Sequence, residues 1–259
     1  MSEFGSKPEQ PKKDKIEDSV ESSEGPYCKV YQGVRLSELF ENEEILKEVA
    51  SAYEYVYGTY WKEEYKPGEV EEKVRKNITE EEKRIPIATF LDNFEGFSFS
   101  FLISSRERIK KDDMPPKLLE EEKEKGVNAS IEWLRQNSQE NSLFIKDLGQ
   151  KEIGNPWKVY SLIIPVLNKA QEEGYNKALL GTDKVKSPIF KIAMALGGEI
   201  IHNFLKFKKD EETFTPVLMA LDIKKTLQLL SDVRSEDKDI KRSAIHTMRK
   251  NIKESGYFD

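Results

Sequence analysis

The region from residue 143 to residue 221 alternates short β-prone runs with longer runs of helical spacing, and this alternation restricts the fold more than any other feature. β-Prone runs at 143–148 and 177–182 flank a helix predicted over 156–173. A helix that connects two neighbouring strands returns the chain to the same end of the sheet, so these strands are expected to pair in parallel. The sequence therefore predicts an α/β fold built on a mixed sheet.

The segments on either side add antiparallel strands and further helices. The run at 27–34 predicts a first strand, and a pair of helices follows it up to residue 56. Asp, Asn and Gly at 92–96 tolerate tight-turn geometry, so the β-prone runs at 85–91 and 97–104 predict a hairpin. A helix at 188–196, strands at 199–207 and 214–221 and two charged helices complete the chain.

Composition divides the chain into three parts. Residues 1–26 are rich in Ser, Glu, Lys and Pro and contain few apolar side chains, which predicts a disordered tail. Residues 27–223 form the expected domain, and a densely charged insertion at 106–141 interrupts it, with a helix predicted over 130–136. Residues 224–259 predict a helical extension that packs on the domain edge or contacts a protein partner.

The charge and cysteine content exclude several classes of function. The chain has 42 Lys and Arg against 48 Asp and Glu, a net charge of -6, which gives no electrostatic reason to expect nucleic acid. A single cysteine excludes an internal disulfide, and two histidines far apart give no metal-ligand spacing, so no metal is expected. No apolar run approaches the roughly 18 residues of a membrane helix, and no secretory pattern is present, so a cytoplasmic protein without membrane contact is expected.

The order hairpin, strand, loop, helix, strand, helix, strand, strand resembles the fold of the GCN5-related N-acetyltransferases. Gly96 and Phe97 resemble the glycine step that opens the third strand of that family. Further positions keep the family's spacing between the long helix, the next strand and the next helix, namely Ala170, Gly174, Thr182, Pro188, Leu196 and Gly197. The resemblance implies an acetyl-coenzyme A-dependent transferase that acts on the amine of a small molecule or a protein.

A cofactor site is expected beyond the carboxyl ends of the parallel strands, where helix amino termini point. Asn155 can cap the predicted helix and Pro156 suits its first position, so the free N–H groups of the first turn would face an anion. The resemblance places the pantetheine arm along the backbone of Ile145, Lys146 and Leu148. It places the rest of the cofactor at Lys151, Gly154, Asn155, Trp157, Lys158 and Ser187.

The resemblance also implies a base that accepts the proton of the amine. Asp147 is the candidate base because it lies on the strand that lines the crevice, and Asp183 and His202 are the alternatives. Each residue also has a structural interpretation: Asp147 as a solvated carboxylate at the strand end, and His202 as a hydrogen-bonded structural histidine.

The tyrosine that protonates the departing thiolate in this family falls at Ala193, which cannot donate a proton. Tyr160 is the candidate that replaces it, and Ser187 is the alternative. Both residues also have structural interpretations, as a surface tyrosine and as a helix-capping serine.

The cofactor loop departs from the family pattern Arg/Gln-x-x-Gly-x-Gly/Ala. Its one glycine is Gly154. If the loop is aligned on this glycine, the three pattern positions are Lys151, Gly154 and Pro156; if it is aligned on Ala170 and Gly174, they are Gly154, Trp157 and Val159. A second function is therefore open, that of a family-like scaffold or interaction subunit that has lost activity. An open gap between the parallel strands is expected for the transferase, whereas a gap filled by Trp157 would exclude it.

Overall fold

The computed structural model describes residues 28–32, 34–79, 81–91, 93–151 and 156–255. The tail predicted for residues 1–26 and the loop residues Gly154 and Asn155 lie outside the described residues. Within the described ranges, no helix combines the length and the apolar character needed to cross a membrane.

A seven-stranded mixed sheet organises the molecule, in the order β1-β2-β3-β4-β5-β9-β6. Only β4 and β5 pair in parallel among these neighbours, and the other adjacent pairs of described strands are antiparallel. The predicted α/β fold with a mixed sheet is therefore confirmed. The strands are β1 (Cys28–Gln32), β2 (Arg84–Leu91), β3 (Gly96–Ile103), β4 (Ser142–Gln150), β5 (Lys177–Asp183), β6 (Glu199–Asn203), β7 (Phe207–Lys209), β8 (Glu212–Phe214) and β9 (Pro216–Asp222).

Helices cover both faces of the sheet. The helices are α1 (Val34–Leu39), α2 (Glu43–Trp61), α3 (Glu69–Lys76), α4 (Glu120–Gln136), α5 (Pro156–Glu172), α6 (Pro188–Ala195), α7 (Ile223–Arg234) and α8 (Lys238–Glu254). Side chains of α5, α6 and α7 form one core with alternate residues of the central strands. The opposite face holds two further cores, one beneath α1, α2 and α3 and one beneath α4.

Two helices differ from the sequence expectation. The helix predicted over 130–136 begins at Glu120, because Glu–Lys pairs three and four residues apart stabilise its charged first half; Lys125, for example, lies 3.0 Å from Glu121. The short helix α3 was not predicted, because its two buried residues, Val70 and Val74, are too few to establish a helical period. The hairpin formed by β2 and β3 confirms the expectation.

A buried ion pair fastens the insertion to the sheet. The Arg84 guanidinium on β2 donates two hydrogen bonds to the Asp113 carboxylate, at 2.8 and 2.7 Å, and both side chains are almost completely buried. The backbone N–H of Lys110 donates to the same carboxylate at 2.6 Å. This anchor brings Pro115 against β5, where a Cβ atom on Gly181 would lie 2.7 Å from the proline ring.

Replacing Arg84 by methionine should lower the free energy of unfolding by about 3 to 5 kcal/mol, because it leaves the Asp113 charge buried without its partner. Urea denaturation of purified protein measures this loss. The Arg108→Met variant is the matched control, since Arg108 pairs with Glu82 on the surface and its loss should cost less than about 1 kcal/mol. Equal losses in the two variants would contradict the anchoring role.

Candidate cofactor cleft

The parallel strands β4 and β5 separate soon after they meet. They pair only at Leu143 with Ala178, Phe144 with Leu179 and Ile145 with Leu180. Beyond these pairs β4 continues to Gln150 and β5 to Asp183 without pairing to each other. The expected gap between the parallel strands is therefore confirmed.

A β-bulge at Lys146 coincides with the point of separation. On the other side of β4, Ser100 pairs with Ile145 and Phe99 pairs with Asp147, so Lys146 is the extra residue. A bulge bends its strand and increases the local twist, which directs the end of β4 away from β5. It also reverses the alternation of side chains: Ile145 packs in the core beneath α5, whereas Asp147 faces α2.

A cavity of about 450 Å³ occupies the gap between the strands. Val159 and Ile192, on α5 and α6, line it on one face of the sheet. Val56 and Tyr60 on α2 and the Pro115 turn line it on the opposite face. The cavity, called the cleft below, therefore passes through the sheet where the strands separate.

Close approach of α2 to β4 depends on Gly149. A Cβ atom at this position would lie 2.6 Å from a side-chain carbon of Val56, well inside van der Waals contact. The absence of a side chain at Gly149 therefore lets α2 form a wall of the cleft with Val56, Tyr57, Tyr60 and Trp61.

Several of the predicted site residues meet at this cleft, and others do not. The lining includes Ile145, Lys146, Leu148, Tyr160 and Ser187. Trp157, Lys151 and Lys158 lie outside the lining: Trp157 is 42% exposed, with its ring edge-on to Tyr160, and the Lys151 Nζ lies 3.2 Å from the Ser51 hydroxyl. Trp157 therefore leaves the gap open.

Asp147 lies one side chain behind the cleft wall rather than in it. Its carboxylate is fully buried and accepts hydrogen bonds from Asn77 Nδ2 at 2.7 Å, from the Tyr53 hydroxyl at 3.3 Å and from the Tyr57 hydroxyl. Tyr57 also lines the cleft. Asp147 lies on the strand that lines the cleft, as expected, but the bulge at Lys146 turns its side chain towards α2, where it is buried and not solvated.

Burial has the largest effect on the pKa values of the cluster formed by Asp147, Tyr53 and Tyr57. Loss of hydration raises the pKa of Asp147, and the Lys146 charge and the donated hydrogen bonds offset only part of that rise. Burial, followed by the charge of Asp147, raises the pKa values of Tyr53 and Tyr57 well above their ordinary value. Both phenols keep their protons at neutral pH, so Asp147 is the member of this cluster that can accept a proton.

The two alternative bases, Asp183 and His202, make structural contacts and do not line the cleft. The Asp183 carboxylate accepts hydrogen bonds from the backbone N–H groups of Val185, Lys186 and Thr215, which holds the turn after β5. His202 lies on β6 outside the lining of the cleft, and its ring packs against Phe204. Neither geometry presents these side chains to the cleft.

Both candidates for the acid line the cleft, and one of them also has a structural role. Tyr160 lines the cleft, and burial raises the pKa of its phenol. The Ser187 hydroxyl accepts a hydrogen bond from the Ile189 N–H at 3.2 Å, so this serine caps α6 as its structural interpretation expects. Ala193 is buried in the core beside α5 and does not line the cleft.

Sequence reasoning missed the wall that α2 and α8 contribute. Tyr57 and Tyr60 sit in a helix whose spacing indicates core packing, and Ile252 sits in the charged helix at the end of the chain. No local pattern joins them to a strand that begins at Ser142. The i, i+4 spacing of Tyr53 and Tyr57 is the one available signal, since it places two hydroxyls on the same helix face.

No protein-family model and no curated protein matches the sequence. The ribosomal-protein-S18-alanine N-acetyltransferase from Escherichia coli is similar in structure, with 8% identity and a TM-score of 0.44, over 76% of this chain and 94% of that chain. FeeM, an N-acyl amino acid synthase from uncultured soil microbes, has 12% identity and a TM-score of 0.44, over 78% and 94%. MesI, a CoA-dependent acyl-homoserine lactone synthase, has 12% identity and a TM-score of 0.38, over 86% and 95%.

As pH rises above about 4, the free energy of unfolding of the wild-type protein should fall relative to that of an Asp147→Asn variant. A pKa raised by folding means that the native state holds the proton more tightly, so its contribution is complete at low pH and is lost as pH rises through the native pKa. Urea denaturation at a series of pH values measures the difference.

Asp222 provides a control of opposite sign. Burial opposes its ionisation, but the hydrogen bond from Lys225 and the contact with Lys177 outweigh burial and lower the pKa of this carboxyl. Relative to Asp222→Asn, the wild-type protein should therefore lose stability as pH falls through the native pKa. Slopes of the same sign for the two positions would show that the Asp147 cluster is not dominated by burial.

Proposed function

We propose that this chain binds an acyl-coenzyme A, with acetyl-coenzyme A as the candidate, in the cleft and transfers its acyl group to an amine. The opened parallel pair carries the proposal. Past Ile145 and Leu180 the facing edges of β4 and β5 no longer pair with each other, so their backbone polar groups can bond an extended ligand that contains amides. A pantetheine arm has this chemistry.

The side chains around the gap suit such a ligand. Ile145, Leu148 and Val159 offer apolar contacts to the methylene groups of the arm. Thr182 on β5 also lines the cleft, and its hydroxyl is buried without a hydrogen-bond partner among the described residues. Lys146 contributes a positive charge to the wall.

The phosphates are proposed to lie at the mouth of the cleft, beside the start of α5 and the residues that precede it. Lys151 and Lys158 are assigned to this proposed subsite as positive charges, and the first N–H groups of α5 carry the positive end of the helix dipole. Gly154, Asn155 and Trp157 belong to the same proposed subsite. The nucleotide can lie across this mouth without entering the gap.

The thioester supplies an activated acyl group and a thiol as leaving group. Tyr57 is placed to take a proton from the attacking amine while it passes its own proton to the carboxylate of Asp147, so that one proton moves from the amine to Asp147. Tyr160 is proposed to donate a proton to the departing thiolate, because it keeps its proton at neutral pH and lines the same cleft.

The alternative function is an interaction subunit that keeps the fold without activity. Two observations favour it: Asp147 reaches the cleft only through Tyr57, and the position of the family's tyrosine is occupied by Ala193 in the core. Such a subunit would contact partners through its amino-terminal tail and carboxyl-terminal helices. Binding of the cofactor separates the two functions.

Acetyl-coenzyme A at about 100 times its dissociation constant should stabilise the protein by about 2.7 kcal/mol, which is several degrees in Tm. A thermal-shift titration measures this. The Ile189→Trp variant places a large ring in the cleft and should lose the shift, whereas Val185→Trp, at a position 62% exposed and outside the lining, should keep it. Absence of a shift in the wild-type protein at millimolar ligand would favour the interaction subunit.

The proton path predicts a difference between two tyrosines that bond the same carboxylate. Tyr57→Phe should lower turnover about tenfold or more, because it breaks the link from the cleft to Asp147. Tyr53→Phe removes a hydrogen bond to Asp147 from outside the cleft lining and should lower turnover far less. Release of free thiol from acetyl-coenzyme A with a panel of amino acids, polyamines and peptide amines measures turnover, and similar losses in both variants would indicate a structural role alone.

A further inference from the structure

The cleft has a mouth on the face of the sheet that α2 and the insertion cover. Tyr60 of α2, Pro116 of the insertion and Lys146 of β4 line the cleft and are partly exposed. Lys146 belongs to this face, because its Nζ lies 6.0 Å from the ring of Phe101, a member of the core beneath α4. The proposed phosphate subsite is at the start of α5, on the opposite face, so this mouth is available to the amine.

Behind the mouth the wall is aromatic and held in place by packing. Tyr57 and Trp61 of α2 are buried there and line the cleft. The Trp61 ring stacks on Phe214, with ring centroids 5.9 Å apart, and Phe214 stacks on Phe207 of the same β-hairpin at 5.0 Å. A fixed aromatic wall of this kind offers contact area to an apolar side chain of the acceptor.

The charged groups on this face favour an anion rather than a second cation. Asp113 is the one acidic residue in the cleft lining among the described residues, and Arg84 occupies its carboxylate with hydrogen bonds of 2.8 and 2.7 Å. Asp112, whose carboxyl feels the charge of Lys146, pairs with Lys76 at 2.7 Å. Lys146 forms an ion pair with neither carboxylate, so its ammonium group can pair with a carboxylate of the acceptor.

Lys146 and Tyr57 lie near the same buried carboxylate. The Tyr57 hydroxyl donates a hydrogen bond to Asp147. Burial raises the pKa of Asp147, and the charge of Lys146 is the strongest of the effects that oppose this rise. A carboxylate bound at Lys146 would therefore lie close to an amine at Tyr57, and an α-amino acid carries both groups on one carbon atom.

We propose that the acceptor is a free α-amino acid with a large apolar side chain, whose carboxylate pairs with Lys146 and whose side chain packs against Tyr60 and Trp61. This inference rests on the proposed function and names the substrate class of the same site. The product would be an N-acyl amino acid.

The proposed transfer keeps the proton path already described. The nitrogen of the neutral amine attacks the carbonyl carbon of the thioester, and the C–N bond forms as the C–S bond breaks. The amine loses one proton to Asp147 through Tyr57, and the thiolate receives one proton from Tyr160. Exchange with water returns Asp147 and Tyr160 to their starting states.

Substitution of Lys146 tests the carboxylate contact through the ratio of kcat/KM for leucine to kcat/KM for leucinamide. Lys146→Met should lower this ratio about tenfold or more, because only leucine has a carboxylate, and Lys146→Arg should retain most of it. A change in the basicity of Asp147, or a loss of folded protein, affects both acceptors and leaves the ratio unchanged. Lys177→Met is the matched control, since Lys177 pairs with Asp222 outside the cleft lining, and it should change the ratio less than about twofold.

Substitution of Tyr60 tests the side-chain contact through the preference for leucine over alanine. Tyr60→Ala should lower this preference about fivefold, because it removes part of the apolar wall. Tyr55→Ala is the control on the same helix, since Tyr55 is 44% exposed and outside the lining, and it should leave the preference unchanged.

Release of free thiol from acetyl-coenzyme A measures each kcat/KM, with the polyamine spermidine as a further acceptor. A higher kcat/KM for spermidine than for leucine, or an unchanged leucine-to-leucinamide ratio in Lys146→Met, would overturn the inference and leave the transferase activity in place. If Tyr60→Ala changes the preference between acetyl- and hexanoyl-coenzyme A instead of that between amino acids, the wall holds the acyl group and the inference is wrong. Absence of thiol release with every amine, or of the thermal shift, would refute the proposed function itself.

Discussion

The extra residue at Lys146 is the constraint on which the cleft depends. Parallel pairing between β4 and β5 ends after three residue pairs, and the bulge lies directly after the last of them. Without it, Asp147 would share a sheet face with Ile145 and would lie beneath α5. With it, Asp147 meets the tyrosines of α2, and the strand edges beyond Ile145 remain open to a ligand.

Two buried carboxylates, those of Asp113 and Asp147, lie next to this gap, and each has different hydrogen-bond partners. Asp113 has a guanidinium partner within hydrogen-bond distance, so its charge is compensated where it is buried. Asp147 has neutral donors and a lysine neighbour, and burial still raises its pKa. The first arrangement favours a fixed charge that anchors the insertion, whereas the second favours a group that can exchange a proton.

The cleft is assembled from parts of the chain that are far apart in sequence. α2 provides aromatic side chains on one face of the sheet, the insertion provides the Pro115 turn, and α6 and α8 provide the opposite end. This arrangement gives the cleft an aromatic wall, formed by Tyr57, Tyr60 and Trp61 of α2.

The sequence by itself determined the α/β class, the hairpin and the parallel pair, whereas the family resemblance singled out Ile145, Lys146, Leu148, Tyr160 and Ser187, which line the cleft. The class, the hairpin and the parallel pair follow from local periodicity and from turn and cap residues such as Ser187, which act within a few residues of the chain. Only the tertiary structure decided that Asp147 faces Tyr57, that Trp157 leaves the gap open and that α8 lines the cleft. The bulge is a change of register against the neighbouring strand β3, so the sequence near Asp147 does not show which face this side chain takes. Ile252 lies more than fifty residues after α6 in the chain, and the contact between the two helices, which includes the hydrogen bond from Asn251 to Ala195, has no local sequence pattern.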